Sequence, residues 1–477
     1  MPQMRCGIRL LLLMALSAPS VLRAQNENDA LRYSRLHLAP GARALGIAGA
    51  YGALGGSWEA AYHNPAGLSL ATRSEVLISL SGTAVVDQTQ YLGQAVRTNV
   101  QRLAVPNLAY LQKVPTRRGS LSIGIGYDEV SNFTRRLTFA AFNPEHSITE
   151  YFLQSDFYFD LAFRTYAIDT LPGRRYYPAV LEGEIDQQGE IFERGRLGQI
   201  TLAYGIEALR DLHFGAALYL FTGRYSYERI FEELDSRNIH NGRSGTTDFH
   251  SLQLLDEITS DLSGLQARLG LLYRLGNTLH LGASLLTPGR LEVRDAYRST
   301  LRTSFDNGDR FSESLSGLYK YHILLPARFS AGASLRLALL QVSAEAEWTD
   351  YSALELSPSA TFLEANRRLR QDYQATLERR LGAELTLPTP QRLILRAGWA
   401  QSPSPHRQLD LSQRSWTVGL GLPLGEQMQL DVAYARMQFS DRFRQYTAPV
   451  DPEPVVYEQV TRNRLVFSLR WFPGRGR

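Results

Sequence analysis

Apolar and polar residues alternate with a period of two along most of the chain. Near the C-terminus, for example, the apolar residues Leu465, Phe467, Leu469 and Trp471 occupy every second position. Successive side chains of a strand point to opposite faces, so this pattern predicts strands with one apolar and one polar face. We predict about fourteen of them, at residues 76–80, 108–111, 121–127, 200–206, 214–220, 265–275, 279–285, 329–337, 342–348, 381–387, 393–399, 416–423, 427–434 and 464–471, with weaker candidates at 135–142 and 291–302.

The links between the predicted strands are of two kinds. Gly425-Glu426, Gly276-Asn277 and Pro388-Thr389-Pro390 are short links that predict hairpins and therefore antiparallel neighbours. Asp235–Asp248 and Asp441–Gln459 are long and polar. Short turns at one end and long loops at the other are typical of an outer-membrane β-barrel.

The residues on the two faces favour a membrane barrel. The predicted polar face carries many charged side chains: Arg328, Arg336, Glu345, Glu347, Arg380, Glu384, Arg392, Arg396, Arg464 and Arg470. The apolar face has aromatic residues at strand ends, as in the interfacial girdles of membrane barrels: Tyr127, Tyr273, Trp348, Trp399, Trp416 and Trp471. We therefore predict an all-β, transmembrane antiparallel barrel. A periplasmic β-sandwich is the alternative, but it would seldom need fourteen strands.

The charged residues of the polar face have two interpretations. They select an anionic solute, or they neutralise one another across neighbouring strands. Glu384 and Arg396 have the same facing parity on one predicted hairpin. We favour structural pairing, because opposite charges on facing strands are an ordinary way to line a polar lumen.

The N-terminal part of the chain precedes the predicted barrel. Residues 1–24 have the positive start and short apolar run of a secretory signal, with expected cleavage after Ala24. Residues 41–68 are rich in Gly and Ala and end in the turn-forming sequence Asn64-Pro65-Ala66-Gly67. We predict that residues 25–72 form a compact plug inside the lumen of a barrel made by residues 73–477.

Composition excludes several functions. The formal charge of +4 falls to +1 when Arg5, Arg9 and Arg23 leave with the signal, so no basic footprint for nucleic acid is expected. The single cysteine, Cys6, also leaves, so the mature chain has no disulfide framework and no thiol ligand.

The sequence contains no pattern of catalytic or metal-binding residues. The nine histidines are scattered, and His63 beside Asn64 is expected to be structural. Five candidates fall in one predicted loop-rich region without catalytic spacing: Asp235, His240, His250, Asp256 and Asp261. There is no G-x-S-x-G motif. We expect no enzyme activity, no metal and no cofactor.

Gly41, Gly46 and Gly49, followed by Asn64-Pro65-Ala66-Gly67, resemble the N-terminal hatch motif of the FadL/TodX family of outer-membrane transport proteins. Leu325–Gly332, Glu347–Tyr351 and Arg396–Trp399 are also similar to that family. The resemblance implies a fourteen-stranded barrel closed by an N-terminal hatch. It also implies passive uptake of hydrophobic compounds, such as long-chain fatty acids or aromatic hydrocarbons, with release through an opening in the barrel wall.

The expected function is thus uptake of hydrophobic small molecules by a monomer in the bacterial outer membrane. Further expected partners are outer-membrane lipid and the barrel assembly machinery. The alternative is a barrel adaptor for protein secretion that binds exported proteins. Tyr151–Phe163 and Leu252–Leu265 are candidate extracellular capture loops. Five strand glycines are candidates for the kink that opens the wall: Gly124, Gly126, Gly215, Gly270 and Gly282.

Overall fold

The computed structural model describes residues 27–35, 41–171, 175–181, 183–243, 247–449 and 453–474. The predicted signal peptide lies outside these residues. The strands are β1 (Glu75–Tyr91), β2 (Gln94–Val114), β3 (Leu121–Asn132), β4 (Arg135–Asn143), β5 (Ile168–Leu171), β6 (Arg175–Pro178), β7 (Ile185–Leu209), β8 (Leu212–Leu234), β9 (Phe249–Leu275), β10 (Leu279–Leu286), β11 (Gly289–Phe305), β12 (Arg310–Leu325), β13 (Arg328–Leu337), β14 (Leu340–Asp350), β15 (Glu355–Ser357), β16 (Ala375–Thr386), β17 (Ile394–Ser402), β18 (Gln413–Leu424), β19 (Met428–Arg444) and β20 (Val455–Trp471).

The helices lie before and between these strands. They are α1 (Glu27–Ser34), α2 (Ala42–Gly46), α3 (Ala60–His63), α4 (Ile148–Phe152), α5 (Phe159–Arg164) and α6 (Leu363–Asp372), with 3-10 helices at Pro65–Leu70 and Tyr351–Ala353. Among the described helices, none is both long enough and apolar enough to cross a membrane.

The main sheet closes on itself. Each wall strand pairs antiparallel with its neighbours, and β1 pairs with β20 from Val76↔Trp471 onward. Three wall strands are interrupted, because β4 continues β3, β11 continues β10, and β13 continues β12. The wall therefore has fourteen strands, as the alternation predicts. Each of the fourteen predicted segments falls on a different wall strand, and the two weaker candidates fall on β4 and β11.

Burial alternates along the wall strands in the predicted sense. In β20, Leu465, Phe467 and Leu469 are exposed on the outer face, while Ser468 and Arg470 are buried on the inner face. Two of the predicted polar-face residues do not lie inside the lumen. Arg336 is exposed near a turn, and Arg392 lies in the turn before β17. Arg336 lies one residue before the end of β13 and Arg392 two residues before the start of β17, so neither side chain is enclosed by the wall.

The two ends of the barrel differ as predicted. One end has two-residue turns such as 210–211 and 338–339, and the other has the connections 144–184, 235–248 and 351–374. Two predictions at the long-loop end are wrong. The segment Leu252–Leu265 lies within β9, and the loop predicted at Asp441–Gln459 is shortened by β19 and β20. In both cases the strands continue beyond the apolar band.

The other candidate capture loop does cover the barrel mouth. Within 144–184, α4 and α5 span most of Tyr151–Phe163 and pack over an apolar cluster. Phe152 is fully buried in this cluster, together with Phe139 and Phe231 of the wall. Phe163 remains exposed.

Candidate functional site

The plug (residues 27–35 and 41–71 of the described chain) lies inside the barrel, and its turn Asn64-Pro65-Ala66-Gly67 is fully buried. The Asn64 amide donates to Gly52 O at 2.7 Å and to Leu271 O of β9 at 3.0 Å. Its carbonyl oxygen accepts from Ala66 N at 3.2 Å. Asn64 thereby joins two parts of the plug to the wall, and Pro65 begins the 3-10 helix that follows.

Glycines of the wall make room for the plug. At each of the five glycines proposed above as kink sites, the plug occupies the space that a side chain would fill. A β-carbon would meet Trp58 at Gly124 and Gly126, Pro65 and Ala66 at Gly215, Asn64 at Gly270, and Gly52 at Gly282. Close approach of two backbones is a regular use of strand glycine. Four further glycines have this role without being singled out from sequence, namely Gly205, Gly382, Gly398 and Gly419.

The remaining glycines of the predicted motif allow close packing, either within the plug or between the plug and the wall. Gly41 precedes α2, where a β-carbon would overlap the Glu59 carboxylate. Gly46 lies against Gly419, and Gly67 lies against Gly55. Gly49 has φ +77°, a left-handed conformation that residues with a β-carbon rarely adopt.

An ion-pair network links α2 to the wall. Arg43 pairs with Glu384 of β16 at 3.3 Å, and Glu384 also pairs with Arg396 of β17 at 2.7 Å. Arg396 then contacts Asp431 of β19 at 2.7 Å, which pairs with Arg470 of β20 at 2.9 Å. The equal parity of Glu384 and Arg396 correctly predicts their pairing. The link to Arg43 was not predicted, because 341 residues separate the partners.

Glu59 of the plug lies beside this network. One of its carboxylate oxygens accepts from Arg43 N at 3.2 Å, and the other has no hydrogen-bond partner among the described residues. Burial raises the pKa of Glu59 to about 7, although Arg470 and Arg43 act in the opposite direction. The charged form of this carboxyl group is therefore disfavoured while the plug is docked.

A cavity lies between the plug and the wall. Four arginines line it, Arg35, Arg268, Arg328 and Arg380, with two carboxylates, Glu347 and Glu378. Arg328 and Arg380 pair with these carboxylates. Arg35 and Arg268, by contrast, bond only neutral oxygens within the described residues, those of Leu411, His63 and Ser284.

His63 also lines this cavity and is buried. Its Nε2 has no hydrogen-bond partner among the described residues, and neither has Nε of Arg268. Burial, with the neighbouring Arg380 and Arg268, holds the pKa of His63 well below its usual value. His63 is therefore neutral at physiological pH, and neither Arg35 nor Arg268 forms an ion pair with a carboxylate of the described residues.

A second cavity lies behind a break in the wall. Backbone pairing of β2 with β3 runs from Val114↔Leu121 only to Asn107↔Asp128. β3 then bulges between Glu129 and Ser131 while it stays paired with β7. The cavity is lined by the bulge and by Thr83, Asn132, Ala435, Met437, Arg462 and Arg464. Met437 lines the first cavity as well, so the two cavities meet at this side chain.

The structure does not assemble the residues considered for catalysis. Asp235 accepts backbone N–H groups of its own loop, His240 contacts Gly183 O, and Asp256 and Asp261 lie in β9. In the part of the chain that the structure describes, no three His, Cys, Asp or Glu residues are arranged to hold a metal ion.

A closed fourteen-stranded barrel with its own N-terminal segment docked in the lumen defines a plugged outer-membrane transport barrel. Residues 198–468 match the family model "Outer membrane protein transport protein (OMPP1/FadL/TodX)". The chain belongs to this family, whose members are transport proteins and not enzymes. Family and fold indicate the bacterial outer membrane. A comparison with curated proteins finds no match.

Solved structures share this fold at low sequence identity. The P. putida toluene transporter TodX is 15% identical with a TM-score of 0.58, covering 92% of this chain and 100% of TodX. A Pseudomonas aeruginosa FadL homologue is 12% identical with a TM-score of 0.56, covering 91% of this chain and 98% of the homologue. The Ralstonia pickettii toluene transporter TbuX is 16% identical with a TM-score of 0.53, covering 90% and 98%.

Proposed function

We propose that this protein takes up hydrophobic compounds passively and releases them sideways through the wall between β2 and β3. Residues 25–72 act as its hatch. The observation that carries the proposal is the end of the β2–β3 ladder at Asn107↔Asp128, with a cavity directly behind it. A strand edge without backbone partners is a natural place for a wall to open.

Side chains, not backbone bonds, cross the break. Arg102 of β2 pairs with Glu129 of β3 at 2.6 Å, and Thr98 Oγ1 donates to Arg136 O at 2.7 Å. On the outer surface beside the break, Leu103 is 88% exposed and Val105 is also exposed. An apolar ligand that leaves here enters an apolar surrounding directly.

We propose a long-chain fatty acid as the ligand class, in preference to an uncharged hydrocarbon. A carboxylate head would pair with Arg35 or Arg268, whose hydrogen bonds within the described residues all go to neutral oxygens. From there, the contact of the two cavities at Met437 supports a path to the wall break. Met is flexible and suits a passage that must adapt to its ligand.

Cross-linking tests the lateral route, because Cys6 is the only native cysteine and lies in the predicted signal. Arg102→Cys with Glu129→Cys, joined by a short bismaleimide, should reduce uptake of a fluorescent fatty acid to that of empty vesicles. Leu108→Cys with Tyr127→Cys is the matched control, since this pair faces across intact ladder. Full uptake by the first cross-linked variant would exclude this route.

The same vesicles test the ligand class and the adaptor alternative. Arg35→Gln should weaken fatty-acid uptake while leaving toluene uptake unchanged. Equal effects on both compounds would contradict carboxylate recognition. Purification of secreted polypeptides with the protein, together with no uptake, would favour the secretion adaptor.

A further inference from the structure

The outer face of β16–β19 carries a row of polar side chains immediately above the apolar band. Ladder register places Arg379, Gln401, Arg414 and Gln438 side by side on four successive strands. Arg436 lies two residues from Gln438 on the same face of β19. The three arginines, which we call the arginine row, are all exposed.

Aromatic residues fix the level of this row relative to the membrane. Trp416 of β18 lies opposite Trp399 of β17 on one side and opposite Arg436 of β19 on the other. Its side chain is 62% exposed. The outward apolar residues of β18 extend from Trp416 to Leu424. At about 3.4 Å per residue and a strand tilt of about 40°, this span is about 20 Å high. The arginine row therefore lies at the head-group level, on the long-loop side.

No carboxylate neutralises the arginine row. Arg379, Arg414 and Arg436 form no ion pair with any described residue. Asp410 is close enough to interact electrostatically with Arg414, but its carboxylate accepts from Ser412 N at 3.1 Å.

Several outward-facing cations elsewhere on the barrel have carboxylate partners. Arg224 pairs with Asp261 at 2.8 Å, and Lys320 pairs with Glu292 at 2.9 Å. Arg294 shares Glu292 at 2.6 Å. Unlike these three cations, the arginine row has no carboxylate within ion-pair distance among the described residues.

We propose that the arginine row binds the phosphate groups of a phosphorylated glycolipid in the outer leaflet. Guanidinium groups bind phosphate in a bidentate manner, and three of them on β16, β18 and β19 suit a head group with more than one phosphate. The tryptophans below the row would pack against the acyl chains at the interface. The ligand is identified by two features of the arginine row: its positive charge, which complements phosphate, and its position at the head-group level of the membrane.

Native mass spectrometry of the full-length protein in mild detergent tests this proposal, with lipid A as the probe. The substitutions Arg379→Gln, Arg414→Gln and Arg436→Gln together should weaken binding about 100-fold, because each cation near a lipid surface contributes about a factor of five. Dephosphorylated lipid A should bind the native protein as weakly as lipid A binds this variant. Excess inorganic phosphate should not displace lipid A, whose tryptophan contacts phosphate lacks.

The matched control removes the same number of charges elsewhere, with Arg224→Gln, Arg294→Gln and Lys320→Gln. It should change lipid A affinity by less than about fivefold. All six side chains are on the outer surface, so both variants should fold, which circular dichroism checks. Equal losses in the two variants, or native affinity after removal of the arginine row, would overturn the proposal. Displacement of lipid A by inorganic phosphate would also overturn the proposal.

Discussion

Two regions of the plug contact the wall by different means. Helix α2 contacts β16–β20 through the Arg43–Glu384 ion pair and through Ala42 N, which donates to Ser468 Oγ at 2.9 Å, and its last residue, Gly46, also lies close to Gly419. The segment 64–70 instead fits its backbone into the glycine positions of β8 and β9. Charged groups tolerate a change of distance and partner, whereas a close-packed backbone does not. We therefore expect the segment 64–70 to fix the plug and α2 to tune its docking.

The largest effect is expected from filling a glycine position. Gly215→Leu would place a side chain where Pro65 and Ala66 lie, so the plug must shift or leave. Overpacking costs about 3 kcal/mol, and the undocked fraction should rise about 100-fold. Conductance in planar bilayers measures this as a gain of open channels.

Gly82→Leu is the control for Gly215→Leu. Gly82 lies on the outer face of β1, and a β-carbon there meets only Leu103 at 3.5 Å. This variant should stay as closed as the native protein. An equally closed Gly215→Leu channel would show that the segment 64–70 does not fix the plug.

A smaller effect is expected at α2. Arg43→Gln removes one partner of Glu384, but Arg396 continues to neutralise that carboxylate. The docking free energy should fall by about 1–2 kcal/mol, and the loss should persist in high salt because the pair is shielded from solvent. A double-mutant cycle with Glu384→Gln measures the coupling free energy between Arg43 and Glu384. A coupling of zero would show that this ion pair does not contribute to docking of the plug.

The smallest effect is expected from pH. The pKa of Glu59 is about 7 in the docked plug and near 4.5 when exposed, so protonation favours docking. The stabilisation is complete below about pH 4.5 and is lost as pH rises through 7, by about 1 kcal/mol between pH 6 and 8. Conductance should rise over that interval, and Glu59→Gln should abolish the rise. If the pH profile of this variant equals that of the native protein, Glu59 is not the group that makes docking depend on pH.

Local pattern predicted much of the fold. Alternation identified one segment on every wall strand, since each strand keeps a lipid-facing apolar side. It underestimated strand length wherever both faces become polar, and for that reason Leu252–Leu265 of β9 was interpreted as a loop. The plug was predicted from its composition and from Asn64-Pro65-Ala66-Gly67, which the structure places in the lumen.

The contacts of the site depend on residues far apart in sequence. The pairs Glu384–Arg396 and Arg328–Glu347 each lie on one hairpin, and for the first of them parity alone suffices. The fit of Pro65 against Gly215, and the point near Asp128 where the β2–β3 ladder ends, follow from the arrangement of the whole ring. A strand glycine also has several uses, and sequence alone does not distinguish a kink from a close approach.

Closure of β1 on β20 also sets an order of assembly. The ladder from Val76↔Trp471 joins the two ends of the barrel sequence, so the ring cannot close until the last strand has been made. Contacts of such long sequence separation are slow to form. The plug is synthesised first, and its partners Gly215, Gly270 and Gly398 follow in turn along the chain. The plug can therefore be gathered into the growing wall and enclosed by the final strand, without being threaded into a finished ring.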